Sequence, residues 1–403
     1  MSARWRRAGS AALLGLVSTA VALLAAEGLV RWLAPQPVRV AWEDEWDGLR
    51  VPRAGVRGRH AVPGKFDVQV TINGQRFRAR REYALRPPGG LRRVAVLGDS
   101  MTFGWGVEDD ETYPAQLETI LSGRVGNPLR AVDVHDPGRA GGPSPGGVEV
   151  INAGYPGTCL GEKVAWYELG VRRFHPALVV LTLLGDDVDG DLFWRVFSLD
   201  VAGRAVRTPA ADRGPGPRTV RSTRSAFQAL PGYALLAERS ELFALVRSAM
   251  TRVASGERTT ALGQAPASPE AVAQFRQEGL ALLAAELRWL RDRIREDAAD
   301  LAVVLVPFRD SVYTSTGWWP DELRFKTSAI AEAAAAACRE MDVPFRDLTP
   351  ALVDRSRSAA VPLYHEGVET HPTPAGYRAI AEEVAAFLVE RRLPSRVTAT
   401  SEH

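Results

Sequence analysis

Arg93-Val94-Ala95-Val96-Leu97-Gly98-Asp99-Ser100-Met101-Thr102-Phe103-Gly104-Trp105-Gly106 is the stretch that decides the fold. Its uninterrupted apolar run reads as a strand covered on both faces, as in a parallel sheet. Glycine then ends the strand and lets the backbone turn. Ser100 falls at the strand's carboxyl end, where open α/β sheets carry their sites. A loop follows, and the next helix is expected near Thr112-Tyr113-Pro114, with Thr112 as cap and Pro114 in the first turn.

Four further strands can be read outward from this one. Val148–Gly154, Pro176–Leu184 and Leu301–Pro307 are continuous and apolar, and Val343–Leu348 is short. Helical stretches separate them, at about 161–173, from Ser268-Pro269 onward, at about 328–341 and at about 374–391. This alternation predicts an α/β protein: a three-layer, flavodoxin-like, doubly wound parallel sheet of about five strands. The main domain is expected over 91–394, with an insertion at about 192–267 that reads as a lid over the sheet edge. Residues 36–90 read as a small β-rich preamble with a strand at Phe66–Ile72 and a hairpin-type turn at Asn73-Gly74. Trp42 and Trp46 there read as packing residues rather than a carbohydrate platform. The tail 395–403 is expected to be disordered.

The 403 residues carry a net charge of +2, which gives no argument for nucleic acid or an acidic partner. Arginine dominates the basic residues, with lysine only at Lys65, Lys163 and Lys326, a bias typical of a GC-rich bacterial coding sequence. Cys159 and Cys338 are compatible with one disulfide or with two small buried apolar side chains. Asp133, His135 and Asp136 read as solvated loop residues rather than a metal site.

Arg4, Arg6 and Arg7 precede an uncharged run from Ala8 to Ala26. At about 1.5 Å per residue it nearly spans a hydrocarbon core of ~30 Å. The basic flank places the remainder outside the cytoplasm. A cleaved signal peptide is the rival reading, but Leu24 spoils the small-residue pattern of a cleavage site, which favours an uncleaved single-pass anchor at 1–35.

A serine nucleophile needs a base within hydrogen-bond reach, and the base needs an orienting acid. His371 stands in His371-Pro372-x-Pro374-Ala375-Gly376-Tyr377, at a loop–helix junction; His365 is its competitor. The Gly98-Asp99-Ser100 string, Asn152-Ala153-Gly154, Gly185-Asp186-Asp187 and the His371 string together resemble the blocks of the SGNH (GDSL-type) hydrolases, a family of esterases, lipases and deacetylases. The resemblance runs from Leu91 to about Leu393, apart from the insertion. It implies Ser100 as nucleophile, His371 as base and, as orienting acid, Glu369, with Glu366 the fallback. The family's more usual acid position holds Val368. The implied oxyanion donors are the Ser100 and Gly154 N–H groups and residue 186, where Asp186 replaces the family's asparagine. An ionised carboxylate cannot donate, so Asp186 must be protonated or the site is slow. Asp99 is implied to be structural. No metal or organic cofactor is implied. The expected activity is removal of acyl groups, acetyl among them, from an envelope carbohydrate or a similar ester. An O-acyltransferase and a catalytically weak glycan-binding or assembly protein are the alternatives.

Overall fold

The computed structural model describes residues 3–123, 147–214, 228, 230–254, 269–313, 321–366 and 370–394. The stretch containing Asp133, His135 and Asp136, the residues Val368 and Glu369, and the tail 395–403 lie outside these.

Helix α1 (Ala3–Leu33) leads into the preamble strands β1 (Val38–Arg39), β2 (Glu43–Trp46), β3 (Leu49–Pro52), β4 (Val56–Val62) and β5 (Phe66–Ile72). The main sheet comprises β6 (Arg92–Gly98), β7 (Val148–Gly154), β8 (Leu178–Leu183), β11 (Asp300–Leu305) and β12 (Phe345–Asp347). Its order is β12-β11-β8-β6-β7 and every pairing is parallel. The five strands expected from the apolar runs are these.

Side chains alternate along each strand and divide the core in two. Val94 and Val96 face α3 (Tyr113–Leu121) and α12 (Pro374–Glu390) through Tyr113, Leu117, Tyr377 and Ile380. Ala95 and Leu97 face α4 (Leu160–Trp166), α8 (Pro269–Glu296) and α10 (Asp321–Glu340) through Val164, Leu287 and Ala334. This makes three layers. The cap predicted for α3 is present: Thr112 Oγ1 accepts from Ala115 N.

The preamble is not a separate unit. Leu49, Val51, Phe77 and Tyr83 belong to the same core as Ala95 and Leu97. Trp42 is buried with Val40, Val70, Ile72 and Phe103, as the packing reading required. Asn73-Gly74 does reverse the chain, but into a single bridge between Ile72 and Arg78; the hairpin turn proper joins β4 to β5. Cys159 and Cys338 are both buried and free.

The insertion begins with the β-hairpin β9 (Phe197–Leu199) and β10 (Ala205–Arg207), and later forms α6 (Tyr233–Arg239) and α7 (Glu241–Ala254). None of its described residues lines the cavity at the sheet's carboxyl edge, where a lid is expected. Helices α6 and α7 sit instead against α1 and the preamble.

Candidate active site

Ser100 opens a one-turn helix, α2 (Ser100–Phe103), directly after β6. Asp99 caps it, its Oδ1 accepting from Met101 N at 2.8 Å. This is the structural role expected of Asp99. The glycines around the turn are fixed by contact. A Cβ on Gly98 would lie 1.9 Å from Thr102 Oγ1. Gly98 is therefore required for close approach of α2, not for an unusual turn. Gly104 closes α2 in the left-handed region at φ 87°. The preamble's buried Arg78 then donates to the Phe103, Gly104 and Val107 carbonyls and pairs with Asp109. Part of the nucleophile turn is thus held by chain that precedes the sheet.

His371 reaches the same edge from the other end of the sequence. Its Nε2 lies 2.9 Å from Ser100 Oγ across 271 residues. Two backbone bonds fix its loop: His365 N donates to His371 O at 3.0 Å and Thr373 N to Leu363 O at 2.9 Å. Thr373 caps α12, with Gly376 N donating to its hydroxyl. Gly376 is obligatory, since a Cβ there would sit 1.9 Å from Leu363 O. His365 serves the loop backbone and is not in the cavity wall. Glu366 is exposed.

The sequence reading missed Trp105. Its ring stacks on His371 at 5.1 Å and 20°. His60 meets Trp105 edge-on at 4.4 Å, and Trp42 meets it at 5.8 Å. Burial, then Arg39, Arg78 and His371, push the His60 pKa well down, so His60 is a neutral aromatic wall. Tyr377 Oη donates to the Trp105 carbonyl and ties this wall to α12.

Gly154 does not stand where the resemblance placed it. Its N–H donates to Asn152 Oδ1 at 3.1 Å, and a Cβ on it would lie 2.4 Å from Phe103 N. It is small because α2 runs over it, and it does not line the cavity. Gly157, three residues later and at φ +72°, does line it, beside Ser100 and His371. Arg50 from β3 fixes that turn by donating to the Gly157 carbonyl and to Glu162.

Asp186 is in the cavity wall, as the alignment of blocks implied. Burial, then Asp187 and Asp99, push its pKa up to about 7 against the pull of Lys163. Behind it, the Lys163 ammonium bonds both Asp187 oxygens at 2.6 and 2.8 Å, the Thr182 carbonyl at 3.1 Å and Asp99 at 3.4 Å. Burial opposes that charge, but Asp187 and Asp99 outweigh it and raise the Lys163 pKa. Deeper still, burial and then Asp187 push the Asp191 pKa up to about 7, and burial and then Asp191 push the Glu286 pKa well up.

The cavity holds about 420 Å³ between Ser100, Trp105, Pro156, Leu184, Asp186 and Phe308. Among the described residues no cluster of His, Cys, Asp and Glu could hold a metal ion. The GDSL-like lipase/acylhydrolase family model matches residues 96–379, the span from β6 into the last helix that carries both Ser100 and His371. The chain belongs to this family. It is a serine ester hydrolase. Its fold is similar to that of an acetyl xylan esterase from Geobacillus stearothermophilus, at 14% identity and a TM-score of 0.40, over 75% of this chain and 95% of that one. An α/β hydrolase, LAE5, from the metagenome of Lake Arreo gives 12% identity and a TM-score of 0.38 over 73% and 94%. No curated protein matches the chain.

Proposed function

We propose that this acylhydrolase is held at the cytoplasmic membrane by α1, faces outward, and removes acyl groups from an envelope carbohydrate or a similar ester. The observation that carries the chemistry is the 2.9 Å contact between Ser100 Oγ and His371 Nε2 at the mouth of the cavity. His371 takes the hydroxyl proton as Ser100 attacks the ester carbonyl, and returns it to the leaving alcohol. Glu369 orients the imidazole. Trp105 holds the ring's face.

The tetrahedral oxygen is held by the Ser100 N–H, which a first helical turn leaves without an intrahelical acceptor. Gly157 supplies the second N–H in place of Gly154, because Gly157 borders the cavity and the Gly154 N–H is already engaged. Asp186 supplies the third donor as a neutral carboxylic acid. Its pKa of about 7 keeps it mostly protonated in mildly acidic solution. Support for the anchor comes from α1, whose uncharged run ends at Ala26 and whose 18-residue apolar window within Ser10–Leu33 has mean hydropathy 2.0 with none of it buried.

The deciding experiment is hydrolysis of a chromogenic acyl ester by the full chain in detergent, beside Ser100→Ala and His371→Ala. Each is expected to lose at least ~10³-fold in kcat/KM. A fluorophosphonate probe should label the native enzyme and not Ser100→Ala. Equal rates, or labelling that survives the substitution, would sink the assignment. Acyl product on an added saccharide instead of free acid would show transfer in place of hydrolysis.

A further inference from the structure

The described part of the insertion leaves one feature unexplained. Glu27 is the first charged residue after the apolar run of α1. A carboxylate at the end of such a helix needs partners. It finds them at the start of α7. Glu241 N and Leu242 N donate to its two oxygens at 2.9 and 3.0 Å, and Ser240 Oγ donates at 2.7 Å. Arg31 bonds both Glu27 and the Arg239 carbonyl. The α6–α7 joint is therefore fastened to α1 at one level, that of Glu27. A 19-residue apolar run of about 28 Å ends there, so this level is the boundary between hydrocarbon and headgroups.

The two helices turn their apolar sides away from the protein. At 100° per residue, Ala244 lies nearly opposite the stripe formed by Leu242, Val246, Ala249 and Met250. Ala244 is the side chain that packs on the body, against Val38 and Ala61. Val246 is 46% exposed and Met250 is 52% exposed. On α6, Ala237 is buried while Leu235 and Leu236 are exposed. Trp32, wholly at the surface of α1, completes an aromatic and apolar rim of the kind found at membrane interfaces.

We infer that α6 and α7 lie in the outer face of the same bilayer that α1 spans, with Leu235, Leu236, Val246 and Met250 entering the boundary between headgroups and acyl chains. The inference rests on the reading of α1 as a span. The occupant is lipid because the stripe is continuous with the apolar helix through the Glu27 joint, and because amphipathic helices of this pattern bind that interface. The consequence is orientation. With two contacts at the membrane, the preamble is fixed over the lipid, and the domain cannot swing freely on the single span.

The test uses nitroxide labels on the full chain reconstituted into phosphatidylcholine–phosphatidylglycerol vesicles. Single substitutions Val246→Cys and Met250→Cys are compared with Val21→Cys in α1 and with Arg357→Cys on the exposed end of α11 (Thr349–Ser358). The native Cys159 and Cys338 are buried, and any label that they take up is measured on the unsubstituted chain and subtracted. Collisions with oxygen report lipid, and collisions with a water-soluble nickel chelate report solvent. Positions 246 and 250 should favour oxygen severalfold, as position 21 does, and position 357 should favour nickel. Nickel preference at 246 and 250 with oxygen preference at 21 would overturn the docking and leave the anchor standing. Dipolar broadening at 250 would mean that a second copy covers the stripe, which also overturns it. Nickel preference at 21 would remove the anchoring reading, and this inference with it.

Discussion

On the Ser100 and His371 side of the cavity, residue identity follows from contact: Gly98, Gly154 and Gly376 are glycine because backbone or a β-branched side chain passes within 2.4 Å of where a Cβ would stand. On the Asp186 side it follows from charge: Asp99, Asp186 and Asp187 converge on the one ammonium of Lys163. The first side holds Ser100 and His371 in place by packing. The second has more carboxyl groups than a single cation can neutralise, so its protonation, and any hydrogen bond it gives to the reacting oxygen, depends on pH. Fixed packing and a pH-dependent hydrogen-bond donor are thus found on opposite walls.

The largest expected effect breaks the charged side. Lys163→Met would leave Asp187 and Asp99 buried beside an apolar side chain, and removing one member of a buried pair costs about 3–5 kcal/mol. Urea unfolding should show that loss, a large part of the stability of an ordinary domain. A midpoint close to that of the native chain would mean that the aspartates simply take up protons at little cost.

Breaking the contact side comes next. Gly376→Ala must push the Leu363 carbonyl away, and the His371 loop moves with it. A misplacement of about 1 Å can cost ~10²-fold in rate, so kcat should fall by that order while the sheet still folds. Unchanged kcat with an intact circular-dichroism spectrum would show that the loop position does not matter to His371.

A sharper comparison comes from Asp186→Asn. The native donor is lost as pH rises through about 7, so about a tenth of it remains at pH 8. The amide donates at every pH. The variant should therefore be about tenfold faster than the native enzyme at pH 8 and close to it at pH 6. A ratio independent of pH would show that Asp186 does not face the oxyanion.

The smallest effect concerns the deepest acids. Burial and Asp191 raise the Glu286 pKa in the folded state. A raised acid stabilises the fold below its unfolded pKa, and that contribution is lost as pH rises towards the folded value. The native Tm should fall between pH 5 and pH 8, and Glu286→Gln should reduce that fall by about 2–4 °C. Identical slopes would contradict the buried acid pair.

Most of the fold was legible because its signals are local. Continuous apolar runs such as Leu178–Leu183, short and bounded by Pro176 and Gly185, read as strands covered on both faces. Thr112 and Thr373 announce their helices by hydroxyl caps. Ser100 and His371 were legible because their neighbours are constrained: Gly98 and Gly376 have no alternative in the space available. Gly154 misled for the same reason. It is equally constrained, but by α2 packing rather than by an oxyanion, and a string of letters does not distinguish the two. Trp105, Gly157 and Lys163 carried no pattern of their own, and nothing in the insertion's composition says which face its described helices cover.

The sequence by itself determined the order of strands and helices, the candidates proposed as nucleophile and base, and an apolar N-terminal helix. Each depends on neighbours a few residues away, where hydrogen-bonding, capping and side-chain periodicity act. Only the tertiary structure decided which glycine borders the cavity, that a tryptophan from the nucleophile loop backs the histidine, and how many carboxyl groups share one lysine. Those outcomes depend on distances between segments tens to hundreds of residues apart, and burial and Coulomb energies follow distance in space rather than position along the chain.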